Sequence, residues 1–262
     1  MLHYRTRTLT ANFRWLVFLH GVGGDSKIWH RQLREFSKYY NLLFIDLRGH
    51  GESEEVLVDR GYRKYTLEEI TREVMEVLEH LHITRAGFIG VSLGTIVARA
   101  LAEMKPSMVQ CMVLAGAVVK FNTRSKFLIW VAQRSKNLIP YKLLYKMYAH
   151  ILMPKKEQRH SRSMFITSSR RLTRDGFLSW MTITTGLSMA LSYFWETELP
   201  IPTLYVMGEH DYIFLSQVRK LLKTQNRYSR LEVIPRAGHI CNLDEWKVFN
   251  PLTLRFLENN CA

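Results

Sequence analysis

The chain has 262 residues, of which 47% are hydrophobic. That is ordinary for a globular protein and enough for one large domain with a substantial core. The net charge is +14, and residues 120–199 hold 14 Lys/Arg against 4 Asp/Glu, while the rest of the chain holds 23 against 19. The basicity is therefore mostly a property of one segment. It suits an anionic substrate, an anionic partner or membrane surface, or simply a solvated basic face. No internal repeat or low-complexity segment interrupts the chain.

Met1 to Thr10 lacks the apolar core of a secretory leader, so none is expected. Cys111, Cys241 and Cys261 are odd in number and widely spaced. They show no metal-ligand spacing and no disulfide framework, which predicts a reducing, cytoplasmic setting.

Six short apolar runs read as strands buried on both faces. They are Trp15 to Leu19, Asn41 to Ile45, Phe88 to Val91, Met108 to Leu114, Ile201 to Met207 and Leu231 to Ile234. Helical patterns lie between them, at Ile28 to Tyr40, Thr66 to Leu81, Leu93 to Met104 and Gln217 to Lys223. A last helix is expected at Asp244 to Leu257, with a break at Pro251. Thr66 followed by Glu69 reads as a helix-start capping pattern. Strands alternating with helices predict a mostly parallel sheet with helices on both faces.

From Val119 to Leu199 the alternation stops. The segment is basic, aromatic and helical in pattern, and reads as an insertion between two strands. Gly176 to Trp195 carries no charge over 20 residues. Its Ser179, Thr182, Thr185 and Ser192 fall near one helical face, and a span between two strands of one sheet is topologically costly. A helix packed over a pocket is expected there, not a membrane span.

The stretch G-V-S-L-G at 90–94 stands between a strand and a helix. Glycine weakens both, so two of them need a mechanical reason. A serine presented on a sharp strand-to-helix turn supplies one. Glycines there let strand and helix approach closely. The following N–H, on Leu93 at the helix start, faces the place where a carbonyl oxygen becomes negative. A serine hydroxyl needs a base, and a histidine base needs an acid to orient it. Asp211, just past the fifth run, and His239, just past the sixth, follow Ser92 in the order Ser, acid, His. His20-Gly21-Val22-Gly23-Gly24 follows the first run, and the Val22 N–H is the expected second oxyanion donor.

With H-G-V-G-G (20–24), D-L-R-G-H-G-E-S (46–53), G-V-S-L-G (90–94), P-T-L-Y-V-M-G-E-H-D (202–211) and A-G-H (237–239), the chain resembles the α/β-hydrolase fold superfamily. The likeness is to its branch of small capped esterases and lipases, C–C bond hydrolases and related enzymes. It implies a mostly parallel eight-stranded sheet, with residues 2 to 10 supplying the first one or two strands. It also implies a core of residues 1–118 and 200–262, with 119–199 as a helical cap. By resemblance Ser92 is the nucleophile, His239 the general base and Asp211 the orienting acid. Haloalkane dehalogenases and epoxide hydrolases of this fold use an aspartate nucleophile, so Ser92 disfavours both.

Asp46, Arg48, His50 and Ser53 read as a structural turn, and His20 as a loop anchor. Glu209 is a minor alternative acid, His210 is expected to be exposed, and Cys241 reads as a buried structural thiol. No metal site and no cofactor are implied. The expected activity is hydrolysis of a carboxylic ester with a hydrophobic acyl or aromatic group, through an acyl-enzyme. The rivals are C–C bond hydrolysis, thioester hydrolysis or acyl transfer in the same site, and a slow, ligand-sensing protein that retains the triad. No nucleic acid is expected as a partner, because no recognised binding module accompanies the basic segment. That segment (Lys155-Lys156, Arg170-Arg171, Arg174) suggests weak association with an anionic membrane surface.

Overall fold

The computed structural model describes residues 1–10, 13–53, 66–135, 138–168 and 174–261; within 174–196 it describes the side chains of 179, 180, 183 and 186 onward. The strands are β1 (Tyr4–Arg7), β2 (Trp15–Leu19), β3 (Asn41–Ile45), β4 (Ala86–Val91), β5 (Val109–Ala115), β6 (Thr203–Gly208) and β7 (Ser229–Ile234). They form one sheet in the order β1-β3-β2-β4-β5-β6-β7. All neighbours are parallel except β1, which runs antiparallel to β3.

Five of the six apolar runs mark strands covered on both faces; the sixth lies in the edge strand β7, where Arg230 and Glu232 are exposed and Leu231 and Val233 half-buried. In β2, Val17 and Leu19 join a core shared with helices Leu67–His80 and Leu93–Met104. Leu16 and Phe18 point the other way, into a core with Trp29, Phe36, Phe249 and Leu257. Side chains alternate with period two, and each face meets an apolar layer. The outer helix Leu67–His80 begins as the sequence indicates, with the Glu69 N–H donating to Thr66 Oγ1 at 3.2 Å.

Seven strands stand among the described residues, where the resemblance implied eight. Residues 2 to 10 supply one, and the Asn41 side chain anchors the backbone after it. Its Oδ1 accepts from the Leu9 N–H at 2.7 Å, and its Nδ2 donates to the Thr10 and Phe13 carbonyls. These bonds tie Leu9, Thr10 and Phe13, between β1 and β2, to the first residue of β3. Two helical expectations also change. The pattern over Ile28 to Tyr40 becomes a short 3-10 turn at Ser26–Trp29 and a helix at His30–Phe36. Pro251 does not break the last helix, which runs from Trp246 to Asn260. Proline forfeits a single backbone bond there, while Phe249 and Leu257 stay fully buried on either side of it.

The cysteine reading needs correction. Cys111 on β5 and Cys261 near the chain end are joined in a disulfide, with Cα atoms 5.5 Å apart and 150 residues between them. The Arg14 guanidinium donates to the Cys261 carbonyl at 2.6 Å and helps hold the end of the chain there. Wide spacing in sequence was no guide, because the sheet brings β5 beneath the end of the last helix. Cysteine usage therefore does not indicate a reducing setting. Cys241 is free and buried, as expected of a structural thiol.

Between β5 and β6 lie, among the described residues, four helices, Thr123–Ser135, Tyr141–Leu152, Arg159–Ser168 and Arg174–Glu196. The last places Trp180, Ile183, Leu187 and Leu191 along one stripe in the core, and its Trp180 indole N–H donates to the Arg48 carbonyl at 3.1 Å. The side chains of Thr182 and Thr185, and all of Arg170-Arg171, lie outside the described residues. Among the described residues, no helix is long and apolar enough to cross a membrane.

Candidate active site

A parallel sheet gathers the loops at the carboxyl ends of its strands along one edge. Ser92 follows β4, Asp211 follows β6, His239 lies past β7, and Val22 lies past β2. Ser92 sits at φ 52°, ψ −115°, a conformation side chains rarely adopt. It persists because its neighbours over-determine it. The Ser92 N–H donates to the Ala115 carbonyl at 3.0 Å, and the Thr95 N–H returns to the Ser92 carbonyl at 3.0 Å. A Cβ on Gly90 would lie 2.5 Å from the Gly94 carbonyl carbon, and one on Gly94 would collide with the Leu19 carbonyl oxygen. The two glycines are thus what permit the turn.

The turn aims the Ser92 hydroxyl at His239, whose Nε2 lies 2.9 Å from Oγ. His239 Nδ1 lies 2.8 Å from Asp211 Oδ2. The second carboxylate oxygen of Asp211 accepts from the Ile213 and Phe214 N–H groups, at 3.3 and 3.0 Å. These donors hold the carboxylate in place, and it is only 2% exposed. The three residues chosen from the sequence are therefore brought into one hydrogen-bonded line. Glu209 is not part of it; its carboxylate points outward and accepts from the Arg236 N–H at 3.0 Å. His210 is half-buried rather than exposed, packed at 5.8 Å against the Tyr212 ring.

Leu93 opens the helix after Ser92, so its N–H has no acceptor one turn earlier. Val22 lines the same cavity as Ser92. The loop carrying Val22 is held by two buried histidines in a defined state. His50 Nε2 accepts from the Gly23 N–H at 2.8 Å, while its Nδ1 lies 3.0 Å from the Arg48 carbonyl. His20 Nε2 accepts from the Leu47 N–H at 2.9 Å, while its Nδ1 lies 2.8 Å from the Gly21 carbonyl. Each ring must therefore carry its proton on Nδ1 and be neutral. Burial pushes the pKa of both down, His50 to about 3. Asp46 ties the loop from below, accepting from the Ser26 and Glu52 N–H groups at 2.7 and 3.0 Å. Arg48 is paired with buried Glu73 at 2.8 Å. The turn from Asp46 to Ser53 and His20 are thus supports, as the sequence suggests.

Two supports carried no signal in the sequence. Asp244 Oδ2 accepts from the Gly238 N–H at 2.8 Å, next to His239, and Oδ1 accepts from the Ser161 hydroxyl. Burial raises the Asp244 pKa. Ser161 and Asp244 lie 83 residues apart, on different parts of the fold, so no local pattern joins them.

Above Ser92 and His239 is a cavity of about 190 Å³ with an almost wholly apolar lining. Ile129, Tyr145, Tyr148, Leu152 and Phe165 come from the helices between β5 and β6, and Ile28 and Ile240 from below. Among the described residues, no group of His, Cys, Asp or Glu side chains is arranged to hold a metal ion.

The family model described as the alpha/beta hydrolase fold matches residues 14–245. The chain belongs to the alpha/beta hydrolase fold family. Among solved alpha/beta hydrolases, it is similar to the enol-lactonase from Burkholderia xenovorans LB400, with TM-score 0.78 and 22% identity over 98% of this chain and 96% of that one. It is similar also to the hydrolase olei00960 from Oleispira antarctica, with TM-score 0.83 and 18% identity over 99% and 95%. Among characterised sequences, it is 28% identical to strigolactone esterase RMS3 of Pisum sativum over 45% of this chain and 44% of that one.

Proposed function

We propose that this alpha/beta hydrolase is a serine hydrolase that cleaves a carboxylic ester with a hydrophobic acyl or aromatic group. The observation that carries the reading is His239, which joins Ser92 and Asp211 at the floor of an apolar cavity. Ser92 Oγ attacks the ester carbonyl while His239 Nε2 takes its proton. Asp211 keeps the imidazole in the right tautomer and stabilises the imidazolium. The Val22 and Leu93 N–H groups receive the oxyanion. As the intermediate collapses, the carbonyl–oxygen bond breaks and His239 returns the proton to the departing alcohol. Water, deprotonated by His239, then attacks the acyl-enzyme, and the carboxylic acid leaves with Ser92 restored.

Residues 119–199 serve as a cap in this reading. Their apolar side chains surround the acyl group and keep water from the hydrolytic centre except at deacylation. The cavity is smaller than the about 300–1,000 Å³ common for small-molecule sites, at about 190 Å³. A short or medium acyl group is the fit. The names of two relatives, an enol-lactonase and a strigolactone esterase, agree with ester chemistry.

The test is intact-mass detection of fluorophosphonate labelling in wild type and Ser92→Ala, alongside p-nitrophenyl esters of increasing chain length. One adduct on wild type, absent from the variant, with turnover peaking at short to medium chains, is the expected result. A folded protein that takes no adduct and turns over no ester would refute the reading. Tight ligand binding in that case would move the assignment to a sensing role.

A further inference from the structure

The helices Thr123–Ser135 and Tyr141–Leu152 have two differently used faces. Their inner faces supply Ile129, Tyr145, Tyr148 and Leu152 to the cavity. Their outer faces carry large apolar side chains that a fully solvated helix would not expose. Phe127, Trp130, Leu143, Met147 and Ile151, with Leu138 in the connection, are between 42% and 85% exposed. The spacing places them in stripes: 127 and 130 on the first helix, and 143, 147 and 151 on the second. The Tyr148 hydroxyl donates to the Leu128 carbonyl at 2.5 Å, which pins the helices side by side. The Phe127 and Trp130 rings stack with centroids 6.1 Å apart, exposed together.

The segment that carries these stripes bears charges of one sign. Residues 120–156 contain nine Lys/Arg and no Asp/Glu. Arg124, Lys126, Arg134, Lys142 and Lys146 are exposed beside the apolar side chains. The Arg134 guanidinium lies 5.6 Å from the centre of the Trp130 ring. Exposed aromatic and aliphatic groups interleaved with exposed cations, in a segment without a carboxylate, match the boundary of an anionic bilayer. Apolar side chains enter the acyl margin there, and Lys and Arg meet the headgroup phosphates. A face that docked a second copy of itself would bring like charges together across the contact, so the charge pattern selects lipid.

We propose that the outer face of these two helices seats the protein on an anionic lipid surface, with Phe127, Trp130 and Leu138 as the apolar anchors. The proposal does not depend on the ester chemistry, since it concerns binding alone. If both readings hold, the helices that line the cavity are also those that touch the lipid, and the substrate is an ester drawn from that interface.

The experiment is co-sedimentation of the full chain with large vesicles, either of phosphatidylcholine alone or with roughly one-third phosphatidylserine added. Wild type should pellet with the anionic vesicles far more than with the neutral ones, and less as salt is raised. Lys126→Gln with Lys142→Gln and Lys146→Gln should weaken uptake by roughly fivefold for each cation removed. Phe127→Ser with Trp130→Ser should release the protein from anionic vesicles while its melting curve stays cooperative. None of these residues lines the cavity, so turnover of a soluble ester serves as a fold control. Wild type that stays in the supernatant with anionic vesicles overturns the proposal. So does uptake unchanged in both variants. A concentration-dependent dimer in sedimentation velocity, abolished by the two serines and unaccompanied by vesicle uptake, would assign the face to a second copy instead.

Discussion

Replacing His50 with glutamine should remove part of the protein's sensitivity to acid. In the folded chain His50 accepts a hydrogen bond from Gly23 through an unprotonated Nε2. It is 2% exposed, and burial pushes its pKa down to about 3. In the unfolded chain an ordinary histidine titrates near 6.5. The unfolded state therefore binds the proton more readily between these values. Stability from this group is complete above about pH 6.5 and is lost as pH falls toward about 3. At about 1.4 kcal/mol per pH unit, the loss between about pH 6.5 and about pH 5 is about 2 kcal/mol.

Glutamine offers an oxygen near the position of Nε2 and does not titrate. It forfeits the edge-on contact of His50 with Trp180 at 5.1 Å, so His50→Gln should be less stable at neutral pH by about 1 kcal/mol. That deficit should shrink and then reverse on acidification, because the variant lacks the titrating ring. His20 is present in both proteins, so its own contribution largely cancels. Urea unfolding at several pH values between about 7.5 and 5 measures the difference. A wild type–variant difference that stays constant across that range would show that His50 is not held neutral, and the tautomer assignment of the Val22 loop would fail with it.

Three further outcomes follow from the same structure. Ser92→Ala should lower kcat by about 10⁶-fold with unchanged folding, and Asp211→Ala by about 10⁴-fold with some loss of stability from the buried N–H donors it leaves unpaired, because Asp211 orients and stabilises while Ser92 reacts; equal losses in kcat, or near-full activity in Ser92→Ala, would contradict the roles given to them. Denatured, unreduced protein should show one reactive thiol, from Cys241, and three after reduction. Cys261→Ser should lose about 2–4 kcal/mol of stability by freeing a long loop in the unfolded chain. Three reactive thiols without reductant would remove the Cys111–Cys261 link.

Much of this protein was legible in its sequence. The strands Trp15–Leu19 and Asn41–Ile45 and the helix Leu93–Met104 have the bounds that their residues announce. Continuous apolar runs suit strands covered on both faces, as in β2 to β6, so the pattern carried the central sheet. Ser92, Asp211 and His239 could be chosen because each follows a strand, and a parallel sheet delivers its strand ends to one edge. These are local signals whose spatial consequence the fold class supplies.

What the sequence could not determine lies in contacts between distant segments. Nothing near Cys111 marks Cys261 as its partner, and nothing near Asp244 marks Ser161; only the packing of the last helix and the inserted helices brings them together. The outward stripes of Phe127, Trp130, Leu143 and Met147 are of the same kind. Their residues read equally well as core, because a helical period states that a face is apolar and not whether anything covers it. The tertiary structure decided that point, by turning Ile129 and Tyr145 toward Ser92 and leaving the opposite faces bare.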